Sequence, residues 1–182
     1  MINHRFLIGS ISNHSHFYKQ AYNALKPGGW IELVEMEALL YCDDDTVPVG
    51  SALREWGELI HEVFGKMGRP FLPVEKYKEH LEDAGFENVT FKIVKRPTCD
   101  WPKDRRIKEI GRVSAESTFD MLPSADSEVL QFCALNLLEG LEGFTMAPFT
   151  RVLHWRPEEV TVFLAKVRKD ILRRRIHGYM KS

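Results

Sequence analysis

Apolar and polar positions follow two periods along this chain, one near 3.6 residues and one of two. Phe17, Tyr18, Ala21, Tyr22 and Leu25 recur at helical spacing after Asn13, a residue able to cap a helix start. Pro27 stops that helix, and Gly28-Gly29 permits an abrupt reversal. Trp30, Ile31, Leu33 and Val34 then form a short, nearly continuous apolar run, which predicts a strand covered on both faces. Ile2 to Ile11 reads as the tail of an earlier strand plus a loop turning at Gly9-Ser10. The stripe Val49, Leu53, Trp56, Ile60, Val63, Phe64 and Met67 predicts a long helix that Gly68 ends. Pro73 reads as the first-turn proline of another helix, closed by Gly85. Val89, Phe91 and Ile93 alternate with Thr90 and Lys92, as in a half-buried strand. Pro97 to Asp104 reads as a loop, and from there to Leu141 the pattern is helical with a break near Pro123. Its last apolar face is Val129, Leu130, Cys133, Leu137, Leu138 and Leu141, loosened by Gly140 and Gly143, and Phe144-Thr145-Met146 follows as a glycine-flanked loop. Pro157-Glu158-Glu159 opens a final helix with Val160, Phe163, Leu164, Val167 and Ile171 inward.

Composition narrows this picture. The 182 residues suit one domain, and the formal net charge of −1 gives no electrostatic case for nucleic acid or a membrane surface. No apolar run approaches the roughly 20 residues of a membrane span, and no long apolar stretch follows Met1-Ile2-Asn3-His4-Arg5 as a secretory signal would need. Cys42, Cys99 and Cys133 are odd in number and widely spaced, so they read as free thiols of a reducing compartment, cytoplasmic or nuclear.

The string Tyr18 to Glu35, with Leu25-Lys26-Pro27-Gly28-Gly29-Trp30-Ile31-Glu32-Leu33-Val34-Glu35 at its centre, resembles the region around the fifth strand of class I S-adenosylmethionine-dependent methyltransferases. It is most similar to the fungal branch of LaeA-type regulators and biosynthetic-cluster methyltransferases. Gly68-Arg69-Pro70-Phe71, Ala84-Gly85-Phe86, Trp101-Pro102-Lys103-Asp104, Phe149-Thr150-Arg151-Val152-Leu153 and Glu158-Glu159-Val160 carry the same resemblance. It implies an α/β fold with a partial Rossmann-like sheet of about three strands, helices on its faces, and a helical insertion over 102–151 forming a substrate or cap region. It implies S-adenosyl-L-methionine as cofactor and a small molecule or a protein as methyl acceptor, in fungal secondary metabolism or its regulation. The acidic-Gly-x-Gly-x-Gly loop that cradles such a cofactor, and the acidic residue that holds its ribose, are not found in these residues. By this reading the sequence is the distal part of the fold, with only Met180-Lys181-Ser182 where a last apolar strand is expected. The alternative is a catalytically inactive methyltransferase-like chain that binds a partner, as a homo- or hetero-oligomer, through an exposed sheet edge.

Within the resemblance, Ile2-Asn3-His4-Arg5-Phe6-Leu7-Ile8-Gly9-Ser10-Ile11 matches the end of the fourth strand, where His4 and Arg5 are candidates for cofactor binding. Their alignment is open by one position. Glu35, at the end of the main strand, is a candidate cleft residue; Phe144 and Met146 are candidates for a substrate pocket. No metal site is expected: His14-Ser15-His16 reads as a solvated helix start, and Asp43-Asp44-Asp45 as a solvated turn lacking calcium-loop spacing. Arg173-Arg174-Arg175 reads as a charged helix end.

Overall fold

The computed structural model describes residues 1–108 and 125–182, and for residues 125–137 and 139 the backbone alone. Strand β1, Ile2–Arg5, runs parallel to β2, Ile31–Val34, in the register Ile2 to Ile31 through Arg5 to Val34. Helix α1, His14–Ala24, connects them, with the Asn13 side chain accepting the His16 amide at 2.9 Å. Gly28, at φ +77°, makes the turn into β2. Helix α2, Ala52–Lys66, starts at Ser51 and not at Val49, which is fully exposed. Helix α3, Lys76–Ala84, ends on Gly85 at φ +107°; the Phe86 amide reaches back to the Leu81 carbonyl, closing the last turn. Pro73 lies just outside this helix, its carbonyl accepting from the Lys76 amide.

Strand β3, Lys95–Pro97, pairs antiparallel with β4, Tyr179–Lys181. Thus the residues following His177-Gly178 do form a short final strand. Two links tie this pair to the extension of β2: the Glu37 amide donates to the Lys181 carbonyl at 2.9 Å, and Tyr41 exchanges both backbone bonds with Tyr179. The extended segments therefore follow the order β1, β2 with its continuation, β4, β3. Asp43 and Asp44 are not a merely solvated turn. Asp43 accepts from the Tyr179 hydroxyl and from Lys95, and Asp44 pairs with His177, so the acidic loop fastens both small strands.

Two strand expectations are corrected. Trp30 is 76% exposed and β2 is only half-buried, because helices α1 and α3 cover one of its faces and the other stays partly open. Val89–Val94 is not a strand; β3 begins only at Lys95. A strand needs a ladder partner, and among the described residues this segment meets one only at Val94, which exchanges bonds with Ser182.

Helix α4, Ala125–Val152, runs through Gly140, Gly143 and Pro148 without a break. Helix α5, Pro157–Ile171, starts at the expected proline; the Glu159 carboxylate accepts from the Arg156 amide and pairs with its guanidinium. Leu53, Trp56, Ile60 and Val63 of α2 meet Leu141 and Phe149 of α4 and Leu164, Val167 and Ile171 of α5 in the main core. The break expected near Pro123 lies outside the described residues, as do the side chains of Val129, Leu130, Cys133 and Leu137. No helix among the described residues is long and apolar enough to cross a membrane.

Candidate functional site

Side chains alternate along β1, so neighbours point to opposite faces. His4 therefore turns inward, 3% exposed, while Arg5 turns out towards Glu32 and Asn3. The structure does not bring the two together. The register that sets Arg5 against Val34 places Glu35 at the carboxyl end of β2, beside His4. Glu35 is 6% exposed, buried where a strand-end acid would ordinarily be solvated. Its Oε1 lies 3.0 Å from His4 Nδ1 and accepts the Leu7 amide at 2.9 Å.

Aromatic groups that sequence reasoning had assigned only to helix packing close over this pair. The His4 ring sits 5.4 Å from Phe17 and 6.0 Å from Tyr18, centroid to centroid. Tyr18 is completely buried, and His14 next to it stacks on His80 and meets Tyr77 edge-on. His14 is thus a packed residue and not part of a solvated helix start. The signal was the spacing of His14 and Tyr18 by four, one helical turn apart on the face that α1 buries. Among the described residues no group of three or more His, Cys, Asp or Glu is arranged to hold a metal ion.

Burial dominates the electrostatics. It raises the Glu35 carboxyl from the ordinary 4.5 to about 7, against the lowering effect of the Leu7 and Ile8 amides. Burial lowers His4 below its ordinary value, and lowers His14 with help from His80 and His4. Tyr18 is pushed up by burial, then by Tyr77 and Glu35. A carboxyl that titrates near neutrality beside a neutral imidazole can take or give one proton at physiological pH. Tyr18 Oη, both ring nitrogens of His4 and Glu35 Oε2 are buried with no hydrogen-bond partner among the described residues, so the 3.0 Å approach of His4 Nδ1 to Glu35 Oε1 is a close contact and not a hydrogen bond.

Phe144 and Met146 lie elsewhere. They belong to the helical body of α4, not to a loop, and pack against the main core; Phe144 stacks on Phe64 at 5.1 Å. Glycines at 140 and 143 leave open space where a Cβ would stand, so the helix passes through them.

Comparison with curated proteins finds relatives along nearly the whole chain. It is 34% identical over 174 residues to Methyltransferase pytC of Aspergillus terreus, covering 96% of this chain and 48% of that protein. It is 33% identical over 181 residues to Secondary metabolism regulator LAE1 of Cochliobolus heterostrophus, covering 98% and 53%. Identity to Protein-methionine methyltransferase laeA of Emericella nidulans is 27% over 172 residues, covering 94% and 41%. The chain spans about half the length of the curated relatives it matches. No family model and no solved structure matches it. Along most of its own length the chain is therefore homologous to the LaeA-like branch of fungal secondary-metabolism methyltransferases and regulators.

Proposed function

We propose that this chain is the distal part of a Rossmann-like, class I S-adenosylmethionine-dependent methyltransferase of fungal secondary metabolism, with a small molecule or a protein as acceptor. The supporting observation is the buried His4–Glu35 couple, held at 3.0 Å across the carboxyl ends of two adjacent parallel strands. That is the end of an open α/β sheet where ligands bind. In this reading Glu35, held by the Leu7 amide, accepts the proton that a nucleophile sheds, with His4 packed against it. The segment 102–151 would be the insertion on the substrate side, with Ala125–Val152 as its described helix.

These residues offer a cofactor polar groups at one end only. The partnerless buried atoms of His4, Tyr18 and Glu35, beside the Phe17 ring, supply polar groups and an aromatic face. The methionine end has no cradle here: Gly28-Gly29 precedes β2, and at Gly9, which follows β1, a Cβ would already lie 2.5 Å from Phe64. When bound, the cofactor supplies an electrophilic methyl group; on β1 it is His4 that lies on the Glu35 side, while Arg5 points to the other side of the strand.

A second reading is an inactive module that docks on a partner. Titration calorimetry of the chain with S-adenosylmethionine tests the first reading. Binding in the micromolar range, weakened at least about tenfold by His4→Gln, supports it; absence of heat at millimolar cofactor would sink the cofactor-binding role given to His4.

A further inference from the structure

Glu35 is held by the turn that follows β1. Phe6 leaves the strand at φ +50°, a region that a bulky residue rarely adopts, while its amide still reaches the Val34 carbonyl at 2.9 Å. Beyond it the backbone amides meet the end of β2. Leu7 donates to Glu35 Oε1 at 2.9 Å, and the Ile8 amide also favours the ionised carboxylate. The Ser10 amide closes the turn on the Leu7 carbonyl at 2.9 Å, with Gly9 at φ +69° in the third position, where turns favour glycine. Gly9 is more than a flexible corner. It is buried against two rings: a Cβ there would lie 2.5 Å from Phe64 and 2.7 Å from Phe71. Both rings are buried, with centroids 4.8 Å apart. Phe144 of α4 packs on both, stacked on Phe64 at 5.1 Å and 6.1 Å from Phe71.

We propose that Gly9 is a positioning residue for Glu35. Seated on the Phe64–Phe71 pair, it fixes where the turn presents its amides to the carboxylate. That leaves Oε2, which has no hydrogen-bond partner among the described residues, as the oxygen that takes a proton. This role rests on the reading of Glu35 as the proton acceptor and adds what aims it. A side chain at position 9 would meet a close-packed cluster of three rings, so the turn, held by single hydrogen bonds, is the part that gives. The carboxyl would stay buried, because its cover of His4, Phe17 and Tyr18 belongs to β1 and α1 and not to the turn. Glu35 would then keep its desolvation and lose amide donors, and it would bind its proton more tightly. The titratable groups around it stay as they are. Burial lowers His4 and also His61 of α2, which packs edge-on against Phe71. Burial raises Tyr18 of α1 and Tyr77 of α3. Glu37 is taken up by the Val74 amide and the Tyr41 hydroxyl. The turn itself, Phe6 to Gly9, carries no titratable side chain.

The test follows the glutamate carboxyl carbons of the 182-residue chain by NMR from about pH 4 to about pH 9. Loss of one signal in Glu35→Gln assigns Glu35. Neither cofactor nor acceptor is present, so the outcome is separate from that of the calorimetry, and Glu35 can remain the proton acceptor while the role of Gly9 fails. In Gly9→Ala the Glu35 midpoint should rise above its wild-type value near 7 by at least about half a pH unit, for the weakened amide bonds. Adding Phe64→Leu, which gives the new Cβ room, should take back at least about half of that rise. Phe64→Leu alone keeps glycine at position 9 and loosens its seat. It should raise the midpoint in the same direction, and it decides the matter if Gly9→Ala does not fold. A merely structural glycine would lower the urea midpoint and leave the titration in place. An unchanged Glu35 midpoint in folded Gly9→Ala or in Phe64→Leu therefore overturns the proposal. So does a fall towards 4.5, which would make the turn a cover for the carboxyl. So does a rise that Phe64→Leu fails to reduce, which would assign it to the left-handed backbone at position 9.

Discussion

Glu35→Gln isolates the buried carboxyl without changing its shape. The amide keeps an oxygen for the Leu7 N–H and fills the same space beside His4. What it removes is the ability to ionise. The folded-state value of Glu35 lies near 7 against an ordinary 4.5, so folding favours the protonated acid. A raised value contributes stability that is fully present below about pH 4.5 and lost as pH rises through about 7. At about 1.4 kcal/mol per pH unit, the gap between 4.5 and about 7 amounts to roughly 3 kcal/mol as a ceiling. His4 acts in the opposite sense: its lowered value costs stability as pH falls below its ordinary value. Because His4 is present in both proteins, that contribution cancels in their difference. Urea unfolding of wild type and Glu35→Gln from about pH 5 to about pH 9 should give curves that start within about 1 kcal/mol and diverge by roughly 3 kcal/mol in favour of the variant. Curves that stay parallel over that range would refute the argument that burial, rather than a compensating partner, governs this carboxyl.

Two further outcomes follow from packing. Thr145→Val should cost about 1–3 kcal/mol, because Trp56 Nε1 donates to Thr145 Oγ1 at 2.8 Å and both residues are buried; adding Trp56→Phe should recover part of that loss in a double-mutant cycle read by urea midpoints. Gly57→Ala should destabilise by about 1–3 kcal/mol despite the better helix propensity of alanine, since the new Cβ would stand 2.5 Å from the Ala38 carbonyl oxygen; an unchanged or raised thermal midpoint would contradict it.

Helix ends were readable in the sequence because single residues set them. Asn13, Gly85 and Pro157 stand where the structure puts a cap, a left-handed terminus and a first helical turn. Each acts on backbone groups within a few positions of itself. The same local logic failed at Gly140 and Gly143. A glycine only weakens a helix by about 1 kcal/mol, and the contacts of Leu141, Phe144 and Phe149 with α2 and α5 outweigh that cost. Phe144 and Met146 were consequently read as a loop when they are helical.

Strands and the site depend on partners that no local pattern names. The alternation at Val89–Ile93 is that of a strand, but the hydrogen bonds that would make it one belong to whatever lies beside it. Likewise the sequence left His4 and Arg5 interchangeable, each adjacent to the other and each chemically suited to a ligand. The parallel register of β1 on β2 decides between them. A slip of one residue would exchange their faces, bringing a guanidinium to Glu35 in place of an imidazole. With a permanent cation beside it, Glu35 would be held ionised and could no longer titrate near neutrality. The proton chemistry proposed for this end of the sheet is thus a consequence of strand register, which His4, Glu35 and the Leu7 amide report together and none of them encodes alone.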